Sequence, residues 1–247
     1  MKDKCFITGF KKTKDRKALE RENRDQLILS VAQKMLAEGG LQALSMQAIA
    51  DHTDYSKGTI YQHYGCKEDV VARMVIGCGQ NLVRYIEAAL AKGHSSREKI
   101  VLVSSVFFMN RKMEPVLSPL VGNIQSADFK AKISTPYQNQ IAQIDAQMLK
   151  SALLLFDGVA GFDEQKKLDA TFGWWSMQWG VLDILVNQWD LDQLGFSDPE
   201  QRYFRSLHIY LDGLGLPADA TCHDWQRLQS QAQKIIRNIQ LNNEDQS

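Results

Sequence analysis

The stretch that most limits what this chain can become is Ser45-Met46-Gln47-Ala48-Ile49-Ala50-Asp51-His52-Thr53-Asp54-Tyr55-Ser56-Lys57-Gly58-Thr59-Ile60-Tyr61-Gln62-His63-Tyr64. It reads as two short helices joined by a tight turn, a helix-turn-helix. Ser45 and Ser56 each stand where a hydroxyl can satisfy an orphan N–H at a helix start. Met46, Ile49 and Ala50 share one face of the first helix, with small Ala50 where the second must come close. Asp54 sits at the turn, because aspartate tolerates a left-handed backbone better than most residues. Tyr55 points inward, and Ile60 and Tyr64 make the inward stripe of the second helix.

That leaves Lys57, Gly58, Thr59, Tyr61, Gln62 and His63 outside. A helix entering a DNA major groove offers its N-terminal residues and one exposed face to bases and phosphates. Lys57 can reach guanine acceptors or a phosphate, and Gln62 can pair bidentately with adenine. Thr59 and Tyr61 can donate to phosphate oxygens, which set register without reading sequence. Gly58 removes a side chain at the closest approach. The same spacing also fits an ordinary helical hairpin in a larger bundle, its polar face merely solvated.

At 247 residues, the chain can bury a substantial core. Only five prolines and little regular apolar alternation argue against a β protein, and the helical patterns below make the expected class all-α. Net charge is zero, so the whole-chain balance says nothing for nucleic acid. Its distribution says more: residues 1–24 carry nine Lys/Arg against four Asp/Glu, and residues 1–75 thirteen against ten. The remainder carries sixteen against nineteen, which joins a modestly basic front to a slightly acidic body. Cys5, Cys66, Cys78 and Cys222 show no metal-ligand or redox spacing and read as free thiols of a cytoplasmic protein. No apolar run approaches the roughly eighteen residues of a membrane span, and no secretory signal is recognisable. The expectation is a soluble chain without a membrane partner.

Around the central stretch, residues 1–20 read as a flexible basic arm carrying Lys11, Lys12, Lys14, Arg16 and Lys17. Such an arm could lie along phosphates, or be a tail of no consequence. From Arg21 to Glu38 a helix is expected with Leu27, Ile28, Val31, Met35 and Leu36 on one face, ended by Gly39-Gly40. A long helix runs from Lys67 to near Gly93, with Glu68 and Asp69 complementing its positive end.

The linked run Gly39, Leu44-Ser45, Ile49-Ala50, Tyr55 through Tyr64 and Lys67-Glu68 resembles the N-terminal domain of the TetR family of bacterial transcriptional regulators, over Leu27 to Val71. Departures are Ser45 for the usual threonine, Asp54 for glycine, Tyr55 for a small aliphatic, and Cys66 for serine or asparagine. The resemblance implies a three-helix DNA-binding domain (21–66) on a helical ligand-binding and dimerisation domain (67–216). By matching positions, Ser45 and Gln47 would be phosphate contacts and Lys67 a backbone clamp. Lys57, Gly58, Thr59, Tyr61, Gln62 and His63 would face the groove. The implied function is a transcriptional repressor, a homodimer on a palindromic operator in double-stranded DNA, responsive to a small-molecule effector. The alternative on the same head is an architectural or nucleoid-occlusion protein that coats DNA or contacts a protein partner.

The body carries helical periodicity without further family motifs. Ser95-Ser96-Arg97-Glu98 reads as a capping box opening a helix through Phe107 and Met109. Pro115 and Pro119 bracket a short helix or turn, and Pro136 opens another helix, closed by Gly158 and Gly161. Glu164 to Trp189 is apolar nearly all round and should be buried on several sides. Asp198 caps a helix to about Leu214, and residues 217–247 add an amphipathic helix from Asp224, expected to pack on the body or the partner subunit, and a solvated tail. Trp174, Trp175, Trp179 and Trp189 suit a core and subunit interface. Alternatively, some of these rings line a ligand cavity, with Phe107 and Trp175 facing it and Asn110, Gln140 or Gln178 orienting a polar group. No Gly-rich phosphate loop, metal cluster or nucleophile–base pair argues for an enzyme, a cofactor or a metal. His94, His208 and Cys222-His223-Asp224 read as isolated.

Overall fold

The computed structural model describes residues 5–186, 193, 195–218 and 222–244, with side chains at all of these but 5–14, 118, 182, 185, 186, 243 and 244. Every regular element among the described residues is a helix. They divide into two compact units: residues up to Met74 with Gly122–Gln138, and Val75–Val121 with the chain from Asn139 onward.

The first unit opens with α1 (Cys5–Ala43). The helix begins upstream of the expected 1–20 boundary, so a helical lead replaces the separate arm. Lys, Arg, Glu, Ala and Leu there are strong helix formers, and Arg16 pairs with Glu20 one turn on at 3.4 Å. Residues 15–23 are exposed all round. From there the inward stripe is Asp25, Ile28, Ala32, Met35 and Leu36, whereas Leu27 is 41 % exposed. Gly40 leaves helical geometry at φ 62°, ψ −163°, so the main helix does end at the glycine pair, before a last short piece to Ala43.

α2 (Met46–Thr53) and α3 (Lys57–His63) follow at the expected places. Asp54 adopts φ 56°, the left-handed turn its short polar side chain permits. α4 (Lys67–Lys92) starts in this unit. A short helix α7 (Ala127–Lys130), which the sequence pattern did not suggest, follows the end of α6 (Ser118–Gln125) and precedes the start of α8 (Thr135–Leu154). Buried Asp69 accepts the Ser134 N–H at 2.7 Å, the Tyr64 ring stacks on Tyr137 at 6.3 Å, and Ile124 and Ile133 are buried. These contacts carry the unit beyond the expected limit at residue 66.

In the second unit α5 (Ser96–Met113) is buried on nearly every side. A helix so enclosed must satisfy its polar groups locally: Ser104 and Ser105 donate to the carbonyls one turn back, at 2.7 and 2.8 Å. At its start Ser95 accepts the Glu98 N–H, and the Glu98 carboxylate returns to the His94 N–H at 2.9 Å, one residue beyond the usual box partner. α9 (Glu164–Val186), α10 (Pro199–Gly213) and α11 (Trp225–Glu244) complete the unit. α11 presses Leu228, Ala232, Ile235 and Ile236 into the same core as α5, so it is an integral wall of the body. Buried Arg97 ties this region together, donating to Asp212 at 2.5 Å, Leu216 O at 2.8 Å and His208 Nδ1 at 2.9 Å.

α9, expected to be buried on several sides, buries one face within this unit and exposes another. Ala170, Thr171, Trp174 and Gln178 face inward, half-buried Trp175 packs against the same core, and Leu168 and Phe172 project outward, Phe172 at 76 % exposure. Trp189 lies outside the described residues.

Candidate nucleic-acid interface

α3 is two turns long and has a single fully buried apolar residue, Ile60. Its start is well determined. Ser56 Oγ accepts the Thr59 N–H at 3.1 Å and pairs with Thr59 Oγ1 at 2.9 Å. α2 begins the same way, with Ser45 Oγ accepting the Ala48 N–H at 3.0 Å. Both serines therefore cap, as their positions suggested.

Lys57, Gly58, Tyr61 and Gln62 are exposed on the outer surface of α3, and Thr59 is half-buried beside them. Tyr61 keeps 48 % of its surface free. On α2, Ser45 and Gln47 are exposed too, and Gln47 Nε2 donates to Asp51 at 2.7 Å. Lys67 is half-buried, its ammonium donating to Leu44 O at 3.4 Å.

Gly58 has no internal reason to be glycine. A Cβ built there would meet only Ser56 Oγ, at 3.7 Å, which is an ordinary contact. Glycine within a helix costs about 1 kcal/mol relative to alanine. Nothing inside the unit repays that cost. The open space is on the outer side, where a bulky partner would have to approach the backbone.

His63 is a correction. Its side chain is only 6 % exposed, and Nε2 lies 3.0 Å from Asp25 Oδ1. The ring has turned inward at the end of α3, where it meets Tyr64 edge-on at 4.9 Å. It belongs to the interior of the first unit and not to the groove-facing set, because a buried carboxylate on α1 offers a better partner than solvent does.

That carboxylate was not singled out from the sequence. Asp25 takes Tyr64 OH in a short hydrogen bond, His63 Nε2, and Arg73 Nε from α4 at 3.3 Å. Burial, then the bond to Asp25, drives the Tyr64 phenol far above its ordinary value, so it remains a neutral donor. One signal could have found it: Asp25 is in phase with Ile28 and Ala32, a charge on the apolar stripe of a helix.

The residues expected around an effector lie in the second unit. Phe107 and Trp175 both meet buried Trp174 edge-on, at 5.7 and 6.2 Å. Gln178 is buried with both ends of its amide engaged: Nε2 donates to Ser104 Oγ at 3.1 Å, and Oε1 accepts Tyr203 OH. Its polar group serves the core, which removes it as the orienting group of a cavity. Asn110 is half-buried one turn after Phe107, and Gln140 is half-buried on α8, a helix that contributes none of these rings. The same unit has a groove of about 630 Å³ between α4 and α8, lined in part by Val83, Arg84, Glu87, Lys150 and Leu154. None of the five expected residues lines it.

His208, Cys222 and His223, which looked isolated in the sequence, come together with their ligand atoms within 4.8 Å. The contact joins α10 to the segment before α11, which no local spacing reveals. A neutral imidazole has one acceptor nitrogen, and Arg97 uses that of His208. Burial first, then His223 and Arg97, pushes His208 down to about 4. The donor set therefore suits an arginine-centred structural knot rather than a metal.

Residues 28–74 match the family model of bacterial regulatory proteins of the tetR family. The fold is similar to that of a tetR-family bacterial regulatory protein from Rhodococcus RHA1, at TM-score 0.57 and 18 % identity, covering 78 % of this chain and 98 % of that one. It is similar also to the transcriptional regulator FadR of Bacillus subtilis in complex with stearoyl-CoA, at TM-score 0.55 and 18 % identity, over 76 % and 98 % of the two chains. A third is the ketosteroid transcriptional regulator KstR2 of Mycobacterium tuberculosis, at TM-score 0.53 and 18 % identity, over 79 % and 96 %. No helix among the described residues is long and apolar enough to cross a membrane.

Proposed function

Because residues 28–74 are the N-terminal domain of the tetR family and the chain has the fold of that family's transcriptional regulators, we propose that it is an effector-responsive repressor acting as a homodimer on a palindromic operator. The observation that carries the reading is Gly58, a helical glycine with an exposed outer side and no internal need to lack a side chain. It is flanked by Lys57, Thr59, Tyr61 and Gln62. Lys57 and Gln62 read base edges, while Thr59 and Tyr61 hold the backbone together with Ser45, Gln47 and Lys67. His63 takes no part.

One seven-residue helix reads few base pairs, so two copies related by a two-fold axis are needed for a specific site. The outward residues Leu168 and Phe172 on α9, with half-buried Trp179 and with Ile209 exposed at 71 % on α10, support a dimer, since isolated monomers rarely expose such a stripe. A small molecule bound in the second unit near Phe107, Asn110 and Trp175 regulates. Its binding and that of DNA oppose each other by the same factor, about 1–3 kcal/mol. FadR and KstR2, named for fatty-acid and steroid chemistry or complexed with an acyl thioester, make an apolar effector the first class to screen.

Nuclease footprinting on fragments spanning the gene's own neighbourhood tests the reading. A single protected two-fold symmetric site supports it. Protection that spreads from a start point, or many scattered sites, supports the architectural alternative instead.

A further inference from the structure

Resting on that reading, we propose that Asp25 is the positioning residue of the recognition helix: it fixes how α3 is presented to DNA and so sets sequence selectivity without touching a base. A two-turn helix held by one buried apolar side chain, Ile60, is poorly constrained in rotation, because apolar packing has no preferred direction. Hydrogen bonds do. The N-terminal end of α3 is held through the left-handed Asp54 turn and the Ser56 cap. At the other end, Asp25 Oδ1 receives both His63 Nε2 and Tyr64 OH, two successive residues, while Oδ2 receives Arg73 Nε. One carboxylate on α1 thereby joins the end of α3 to α4.

The clamp is well insulated. Asp25 and Tyr64 are buried, the His63 side chain is nearly so, and the Tyr64 ring is backed by Tyr137. Water therefore competes poorly for these donors. A small rotation of α3 would break two bonds at once, and the same rotation would displace Lys57 and Gln62, which share its outer face. Selectivity depends on that placement far more than phosphate affinity does, since phosphates lie all along the duplex.

The test compares the parent chain with Asp25→Asn and Tyr64→Phe at full length. Asp25→Asn keeps the size and removes the charge and one acceptor. Tyr64→Phe removes only the hydroxyl and leaves the ring on Tyr137. Each is measured for the ratio of affinity on a selected operator to that on scrambled duplex, and for the salt dependence of the scrambled-duplex binding. The expected result is a loss of about tenfold in the ratio for both variants, with the salt slope on scrambled duplex unchanged because no phosphate contact has gone. A variant that is merely destabilised loses active protein for both duplexes alike, which leaves the ratio intact. An unchanged ratio in folded Asp25→Asn overturns the inference while the functional reading stands; should that variant not fold, Tyr64→Phe decides by the same criterion. A parent chain that selects no sequence from random duplex overturns both.

Discussion

At the scale of single residues, Gly58 separates folding from function most cleanly. Gly58→Ala should raise thermal stability by about 0.5–1 kcal/mol, since alanine is the better helix former and meets only Ser56 Oγ at 3.7 Å. The same methyl should weaken operator binding, which gel-shift titration reads. The outward residues of α3 were legible from helical phase alone because a two-turn amphipathic helix has only one solvent face. His63 escapes that logic, because a buried polar pair is chosen by tertiary contact across 38 positions: phase puts His63 outside, and it puts Asp25 on the apolar stripe without naming its partner. His208 offers a pH prediction. Its value is pushed down to about 4 from 6.5, so in that interval the unfolded chain binds the proton that the folded chain refuses. Stability should fall as pH drops from 6.5 toward 4. Chemical denaturation of His208→Asn at several pH values should show a shallower fall than the parent.

Among elements, the close meeting of α9 and α10 turns on Gly173. A Cβ there would stand 2.5 Å from Tyr210 Oη, whose hydroxyl donates to Ala170 O at 2.7 Å. Gly173→Ala must push the tyrosine away and break that bond, and a loss of about 1–3 kcal/mol in unfolding free energy is expected despite alanine's better helix propensity. Most helices were readable because their ends carry chemical marks: Ser45, Ser56, Ser95 and Asp198 accept N–H groups at the expected starts, and Asp54 makes the left-handed turn. α7 was not readable, since four residues with nothing buried leave no periodic trace. The helical start of α1 was missed for a different reason. From Lys11 the stretch is dominated by lysine, arginine and glutamate and looks like a tail, yet these residues sustain a helix through propensity and pairs such as Arg16 with Glu20.

For the whole molecule, periodicity indicates a succession of helices and the family resemblance implies a distinct head, but neither says which helices are core and which are surface. α11, expected to pack on the body or on a partner subunit, packs against α5 in the body, while α9, apolar nearly all round in sequence, leaves Phe172 largely exposed. An apolar helix can hide its second face in a core or in a partner subunit, and sequence does not distinguish them. If that face meets a second copy, Phe172→Glu should shift sedimentation from dimer to monomer and abolish tight operator binding while each chain stays folded. The central claim is that α3 reads a two-fold symmetric sequence through Lys57 and Gln62. Selection from a random duplex library by the parent chain and by Lys57→Ala with Gln62→Ala tests it most directly. The parent is expected to recover one inverted repeat, and the double variant to lose preference at matching positions in both half-sites. Recovery of the same repeat with the same preferences by the double variant, or of no shared sequence by the parent, would contradict it.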